Sequence, residues 1–181
     1  MSMSNFDEKP MPLITFENQK IVVNPEAIEF LKRVPKPISV LGVAGNYRTG
    51  KSFLLNKVIL NAKRGFAVGE TIDPCTKGIW IWGRPLKGTT KDGKIVNIIV
   101  LDSEGLAAID VDSNHDSRVF SLIMLLSSVF LYNSMGAIDE GALENLSLII
   151  NLTKNIQVKV NNEDADYEDY AHFMPNFLWV L

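Results

Sequence analysis

The chain carries the octapeptide Gly45-Asn46-Tyr47-Arg48-Thr49-Gly50-Lys51-Ser52, which has the pattern GxxxxGK[ST] of a phosphate-binding loop. A short apolar run rich in β-branched residues, 38–44, precedes it, and apolar residues at helical spacing follow it over 52–60. Strand, glycine loop and helix are the context that the motif requires. The sequence therefore predicts an α/β P-loop fold that binds a nucleoside triphosphate.

Each fixed position of this motif has a chemical reason. Gly45 and Gly50 lack Cβ, so the backbone can wrap its N–H groups around a phosphate, and the helix that begins near Lys51 adds its positive end. Lys51 supplies an ammonium group to the β- and γ-phosphates, and Ser52 supplies a hydroxyl to Mg²⁺. We therefore predict that the whole loop, 45–52, binds nucleotide and that Ser52 is also a magnesium ligand.

The composition is that of an ordinary globular protein. The 181 residues are 46% hydrophobic and 22% charged, and the net charge of −3 gives no general attraction to nucleic acid or to an anionic membrane. Cys75 is the only cysteine, which excludes an intramolecular disulfide and favours a reducing compartment. Because no targeting signal is visible, we predict a cytoplasmic protein without a nucleic-acid partner.

The sequence also predicts no transmembrane segment. The most apolar part, 119–131, is 13 residues long and contains three serines, so it is too short and too polar to span a bilayer and is predicted as a buried core helix. The C-terminus has no prenylation cysteine. We therefore expect membrane attachment only through residues outside this chain.

Strands and helices alternate along the chain, as a mostly parallel sheet with flanking helices and an antiparallel edge hairpin requires. The predicted elements are a strand pair or extended arm over 13–23, a helix from Asn24 to about Arg33, the strand and helix around the loop, strands over 78–82 and 95–101 with a turn at 91–94, helices over about 116–132 and 139–154, an acidic loop over 161–170 and a strand over 177–181. We assign residues 1–37 to a lead-in and 38–181 to the P-loop core.

A second motif, Asp102-Ser103-Glu104-Gly105, directly follows the strand predicted over 95–101. The carboxyl ends of parallel strands form the edge at which ligands of α/β sheets bind. Asp102 is therefore predicted as a carboxylate on the Mg²⁺ side, acting through a water. Gly105 can offer its N–H to the γ-phosphate, and Glu104 lies beside the path of the attacking water.

A γ-phosphate sensor also needs a threonine in a mobile loop that closes on Mg²⁺. Thr76 is our choice for this metal ligand, because it lies between the two motifs in a segment with Gly, Asp and Pro and just before the strand predicted over 78–82. Thr71 is the alternative. His115 and His172 lie apart without a third ligand, so we predict solvated or capping roles for them and no zinc site.

Taken together, these motifs resemble those of the guanylate-binding proteins, large GTPases related to atlastins and more distantly to dynamins. The resemblance covers about residues 12–181 and rests on segments that occur in the family's order: Tyr47-Arg48-Thr49-Gly50-Lys51-Ser52, Gly65-Phe66-Ala67-Val68-Gly69, Thr76-Lys77-Gly78-Ile79-Trp80-Ile81-Trp82, Asp102-Ser103-Glu104-Gly105-Leu106, Leu126-Ser127-Ser128 and Tyr132-Asn133-Ser134. The Asp-x-Glu-Gly motif resembles that of the guanylate-binding proteins more than that of the atlastins, since atlastins have glutamine in place of the glutamate.

The resemblance implies a protein that hydrolyses GTP with Mg²⁺ and forms a nucleotide-dependent homodimer through its G domains. In such dimers an arginine of the protein's own phosphate loop turns onto the transferring phosphate, and Arg48 occupies that position. The resemblance further implies that Thr76 is the switch threonine and that Glu104 helps to organise the catalytic water. Val68, Gly69 and Glu70 correspond to the family's loop that approaches the nucleotide.

Some residues depart from the family's pattern. Pro74 stands where some relatives have a serine near the catalytic water, and Asn46 replaces an apolar loop residue. The family's guanine-reading Arg-Asp pair follows a strand like 177–181, where this sequence ends, so we expect a partial G domain without the base-specificity motif, the remaining G-domain helices or the helical stalk. Two alternatives to a GTPase stay open: a non-enzymatic interaction or regulatory fragment that keeps the phosphate site, and an ATP-using P-loop protein.

Overall fold

The structure is a computed structural model of the chain, and it describes residues 6–18, 20–68, 78–106, 113–136, 143, 147 and 174–181. The described strands form one mixed eight-stranded sheet. The strands are β1 (Pro10–Glu17), β2 (Lys20–Val23), β3 (Ile38–Ala44), β4 (Ile79–Trp82), β5 (Leu86–Thr89), β6 (Ile95–Ser103), β7 (Val129–Asn133) and β8 (Asn176–Val180). The helices are α1 (Pro25–Arg33), α2 (Lys51–Leu54), which continues as a π-helical turn over Leu55–Ile59, and α3 (Ser113–Leu126).

The strand order is β2-β1-β4-β6-β3-β7-β8, and β5 also pairs with β6. Strands β6, β3, β7 and β8 are parallel, whereas β2, β1, β4 and β5 join through antiparallel pairs. The prediction of an α/β P-loop fold is confirmed. The strands predicted over 78–82 and 95–101 pair in antiparallel orientation as β4 and β6. β5 is an additional strand that the sequence did not predict, and it pairs with the first half of β6.

The predicted lead-in forms a strand pair and a capped helix. β1 and β2 pair in antiparallel orientation, and the side chain of Asn24 accepts a hydrogen bond from the N–H of Glu26 at 3.0 Å, with Pro25 at the first helical position. An asparagine cap and an N-terminal proline are strong helix-start signals, which explains why this boundary was predicted correctly.

The sheet is covered on both faces. One core cluster joins α1 and α3 to the sheet and includes Phe30, Phe120 and Tyr132, and the other joins the π-helical turn to the opposite face and includes Leu55 and Leu131. Neighbouring residues of one strand point to opposite faces. The adjacent residues Leu131 and Tyr132 of β7 therefore belong to different clusters, so β7 is buried on both sides.

The predicted helix over 116–132 is wrong in its second half. α3 ends at Leu126, where the hydroxyl of Ser127 donates to the carbonyl of Ile123 at 2.6 Å, and the N–H of Ser128 donates to the carbonyl of Val40 at 2.8 Å. This second bond starts the parallel pairing of β7 with β3. A short apolar run rich in aromatic residues fits a buried strand as well as a helix, and here the tertiary pairing decides.

Two predicted elements fall largely outside the described residues, namely the helix over 139–154 and the acidic loop over 161–170. The strand predicted over 177–181 is confirmed as β8. Among the helices that the structure describes, none is both long and apolar enough to cross a membrane.

Candidate functional site

The loop 45–52 connects the end of β3 to the start of α2, as predicted. Gly45 and Gly50 have φ angles of +148° and +86°, and the Gly50 value lies in the left-handed region that favours glycine. A Cβ on Gly45 would collide with the carbonyl of Asn133, so this position also needs glycine because of a close backbone approach. Arg48 has φ of +62°, which is uncommon for a residue with a side chain and keeps the loop sharply curved.

The carbonyl oxygen of Asn46 is the centre of the loop's internal hydrogen bonds. It accepts bonds from the N–H of Thr49 at 3.4 Å, the hydroxyl of Thr49 at 3.0 Å and the ammonium of Lys51 at 2.9 Å. These bonds close the loop on itself and hold the Lys51 side chain over it. The predicted loop residues are therefore held together in one compact turn.

The Asp102–Gly105 motif lies beside this loop. The N–H of Tyr47 donates to the carbonyl of Leu106 at 2.7 Å, and the N–H of Leu106 donates to the carbonyl of Gly45 at 3.1 Å. A Cβ on Gly105 would overlap the backbone of Tyr47, so a side chain there would push the two segments apart. The two motifs, about 50 residues apart in sequence, thus form one site because β3 and β6 are parallel neighbours.

Ser52 and Asp102 form the pair of oxygen donors that a Mg²⁺ site of this type requires. The Ser52 hydroxyl donates to Oδ2 of Asp102 at 2.6 Å, and Asp102 is fully buried. Mg²⁺ prefers oxygen ligands and binds through one or two protein groups together with waters and phosphates. A hydroxyl and a carboxylate beside the loop 45–52 therefore have the chemistry that the ion prefers, and Ser52 and Asp102 are the residues that would hold it.

Lys51 is a buried cation. Its residue is 6% exposed, and burial lowers the pKa of the ammonium from 10.5 to about 8, although the negative charges of Asp102 and Glu104 oppose this shift. Burying a charge is costly unless opposite charge compensates it. The protein without ligand therefore holds an ammonium group whose desolvation is only partly compensated.

The depressed pKa of Lys51 predicts how the stability of the ligand-free protein depends on pH. Below pH 8 the ammonium is charged in both states, so the burial cost is fully present; as pH rises from about 8 towards 10.5, the unfolded chain holds more protons at this site and the free energy of unfolding increases. We expect the free energy of unfolding of the wild type to rise by about 3 kcal/mol relative to that of Lys51→Met. The variant lacks this rise because methionine does not titrate. Urea unfolding of both proteins between pH 7 and pH 10 measures it, and parallel stability curves would contradict it.

Of the remaining predicted site residues, two are described and exposed, and three lie outside the described residues. Arg48 is exposed, and no carboxylate among the described residues forms an ion pair with it. Val68 is exposed and lies two residues after Phe66, whose backbone forms two 2.8 Å hydrogen bonds with the Asn56 side chain. Gly69, Glu70 and Thr76 lie outside the described residues, together with the alternative Thr71, so their roles stay predictions.

Asn133 is a site residue that the sequence interpretation missed. It ends β7, is 5% exposed, and donates from Nδ2 to the carbonyl of Thr49 in the phosphate loop at 2.6 Å. Its signal was hidden because β7 was assigned to a helix. Once β7 is known to be parallel to β3, Asn133 stands at the carboxyl edge where the ligand loop lies.

We expect Asn133→Ala to weaken nucleotide binding by about 10-fold or more, because an orphaned buried carbonyl costs about 1–3 kcal/mol and the loop loses its outside support. Asn97→Ala is the matched control: Asn97 is also buried and donates to a backbone carbonyl, that of Pro35 at 2.7 Å, but far from the loop. Fluorescent-nucleotide titration with parallel thermal unfolding separates affinity from stability. Equal affinity losses in the two variants would show that Asn133 has no particular role in the loop.

Glu104 has a partner that the sequence did not reveal. Its Oε1 lies 2.5 Å from Nε2 of His115, in the first turn of α3, and the His115 ring packs edge-on against Phe16 with centroids 4.4 Å apart. The predicted solvated or capping role of His115 is therefore wrong. Sequence spacing alone cannot reveal such a contact, because residues 104 and 115 belong to different elements.

These features define a P-loop protein with a triphosphate-type loop, a strand-end aspartate and a buried lysine. Comparison with known proteins specifies the class further: a family profile described as "Guanylate-binding protein, N-terminal domain" matches residues 18–181. The chain belongs to the guanylate-binding protein family.

Individual relatives agree with this assignment. The chain is 42% identical over 176 residues to guanylate-binding protein 1 of Chlorocebus aethiops, and 40% identical over 178 residues to guanylate-binding protein 1 of Homo sapiens. It is also 40% identical over 176 residues to guanylate-binding protein 2 of Homo sapiens. Each match covers 95% of this chain and 29% of the relative. The chain therefore spans less than a third of the length of these relatives.

Proposed function

We propose that the protein binds GTP with Mg²⁺ and hydrolyses it. The observation that carries this proposal is the buried ammonium of Lys51, held over the phosphate loop at 2.9 Å from the carbonyl of Asn46. A polyphosphate supplies the negative charge that such a desolvated cation lacks. The preference for guanine rests on family membership and on the names of the relatives. The single cysteine, which cannot form an intramolecular disulfide, supports a cytoplasmic location.

Binding of the phosphates falls to the loop 45–52. Backbone N–H groups of the loop surround the β-phosphate, while Lys51 leaves the carbonyl of Asn46 and donates to the β- and γ-phosphates. Gly105 offers its N–H to the γ-phosphate, and Val68, Gly69 and Glu70 approach the nucleotide from the adjacent loop. In this proposal the free protein stores an unfavourable interaction at Lys51 that nucleotide binding relieves.

Ser52, Thr76 and Asp102 would hold Mg²⁺, with Asp102 acting through a water. When bound, the ion neutralises phosphate charge and orients the phosphates. The hydrogen bond between Ser52 and Asp102 supports this assignment, because it holds two oxygen donors 2.6 Å apart beside the loop 45–52. Thr76 enters the set from its sequence position and from the family resemblance.

Hydrolysis in this proposal depends on positioning and on charge stabilisation. Glu104 helps to organise the attacking water, and its buried carboxylate lies in the same segment as Asp102. Arg48 turns onto the transferring phosphate when two G domains pair in the presence of nucleotide. The exposure of the Arg48 side chain supports this role, since an arginine that acts only in the dimer must be free to move in the monomer.

Phosphate release by the purified 181-residue chain tests the proposed function. We expect release from GTP that exceeds release from ATP and that disappears in Lys51→Met, with circular dichroism to confirm that both proteins are folded. Release from ATP alone would indicate an ATP-using P-loop protein. Nucleotide binding without release would indicate a regulatory or interaction fragment and would contradict the enzymatic part of the proposal.

A further inference from the structure

We propose that His115 is a positioning residue for Glu104: it fixes the carboxylate in the orientation that organises the attacking water. This inference rests on the proposed GTP hydrolysis. Its basis is the 2.5 Å contact between Nε2 of His115 and Oε1 of Glu104, both of whose side chains are largely buried, at 25% and 10% exposure. A flexible glutamate thereby gains a partner from a separate element, α3.

The chemistry of the two groups fixes the direction of this hydrogen bond. An ionised carboxylate can only accept, so Nε2 of His115 must carry a hydrogen and donate it. Oε1 of Glu104 is then engaged, which leaves Oε2 to accept a hydrogen bond from water. A glutamate held at one oxygen and available at the other can orient a water molecule without freezing several side-chain torsions during the reaction.

The surroundings of His115 hold its ring in place. The ring packs against Phe16 of β1 at an interplanar angle of 64°, and the guanidinium of Arg118, one turn further along α3, lies 5.3 Å from the centroid of the same Phe16 ring. The backbone N–H of Glu104 donates to the carbonyl of Gly78 at 2.9 Å, so the glutamate is also held at its main chain. β1, α3 and Gly78, the residue before β4, thus converge on the contact between His115 and Glu104.

Lys51 gives a reason why the glutamate needs this second partner. In the free protein the Lys51 ammonium and the Glu104 carboxylate attract each other. In the proposed complex the ammonium is drawn to the phosphates, and the attraction on Glu104 weakens. His115 approaches Glu104 from α3 and is independent of the nucleotide, so the carboxylate keeps its orientation when Lys51 is engaged.

Three variants test this inference through the kinetics of the full 181-residue chain. His115→Leu removes the donor, and we expect it to lower the single-turnover rate of GTP hydrolysis by about 10- to 100-fold, the scale of a misplaced catalytic group, with little change in nucleotide affinity. His115→Gln retains an N–H donor at similar reach and should restore most of the rate. Phe16→Leu removes the ring contact that holds the histidine but keeps the donor, and it should lower the rate by a smaller factor than His115→Leu does.

A double-mutant cycle separates positioning from general support of the fold. In a Glu104→Ala background, His115→Leu should have no further effect on the rate, because the residue it positions is gone. Additive losses, or equal losses in His115→Gln and His115→Leu, would overturn the inference. A fall in nucleotide affinity as large as the fall in rate would overturn it as well.

A spectroscopic measurement keeps the inference testable if the folded chain releases no phosphate, an outcome that contradicts the proposed function itself. Long-range ¹H–¹⁵N spectra report the tautomer of each histidine ring, and His115→Leu assigns the signals of the two histidines in the sequence. We expect His115 as the Nε2–H tautomer, with signals that shift in Glu104→Gln while those of His172 stay unchanged. An Nδ1–H tautomer, or signals that do not respond to Glu104→Gln, would overturn the contact.

Discussion

Replacing Arg48 by alanine is expected to slow GTP turnover by about 10³- to 10⁵-fold while nucleotide affinity falls little. An arginine finger stabilises charge that develops in the transition state, which corresponds to roughly 4–7 kcal/mol of barrier, whereas the bound ground state does not need it. Arg48 fits this description because it is exposed and its backbone, at φ of +62°, already lies within the curve of the phosphate loop.

Measuring kcat and the nucleotide Kd separately, at several protein concentrations, tests this expectation. Arg48→Lys keeps the charge but loses the planar fork of donors, so it should recover only a small part of the rate. Arg84→Ala is the control, since Arg84 is a partly exposed arginine outside the site, paired with Glu8. Equal losses of affinity and turnover in Arg48→Ala would show instead that Arg48 binds the ground state. A wild-type rate per molecule that does not depend on protein concentration would contradict activation by dimerisation.

Replacing Lys51 by methionine is expected to weaken GTP binding by about 100-fold or more, because a charge-assisted hydrogen bond contributes about 1.5–3 kcal/mol and, in the proposed complex, the Lys51 ammonium donates to two phosphates. The same change should stabilise the ligand-free protein near neutral pH, since it removes a buried ammonium whose pKa burial has lowered to about 8. Opposite effects on binding and on stability are characteristic of a binding group that is strained in the free protein.

Isothermal titration and urea unfolding of the same preparations measure both effects. Lys57→Met is a matched control, because Lys57 is exposed on the π-helical turn that follows α2 and should change neither quantity appreciably. If Lys51→Met lost stability at neutral pH, the account of Lys51 as an uncompensated buried charge would be wrong.

The parts of the fold that were predicted correctly have local signals. The loop 45–52 has a fixed pattern, Asn24 and Pro25 mark a helix start, and the turn over 91–94 introduces a long apolar strand. The adjacency of the two motifs also followed from sequence, because strand–loop–helix connections place successive strand ends at one edge of a parallel sheet. Local chemistry and one topological rule therefore suffice for the centre of the site.

The parts that were missed depend on long-range pairing. Val129 to Tyr132 is apolar enough for either a helix or a buried strand, and only its pairing with β3 assigns it to a strand. That one error hid Asn133, whose role depends on its position at the end of a parallel strand next to the loop. His115 was missed for a related reason. Its contact with Glu104 joins two different elements, and no local sequence pattern predicts such a contact.

The central claim of this account is that the loop 45–52 and the buried Lys51 grip a magnesium-bound triphosphate. Titration calorimetry of the folded chain with a non-hydrolysable GTP analogue and Mg²⁺ tests it most directly. We predict saturable heat at one site per chain for the wild type and strongly weakened binding for Lys51→Met. The absence of heat with any purine nucleoside triphosphate, from protein shown to be folded, would contradict the claim.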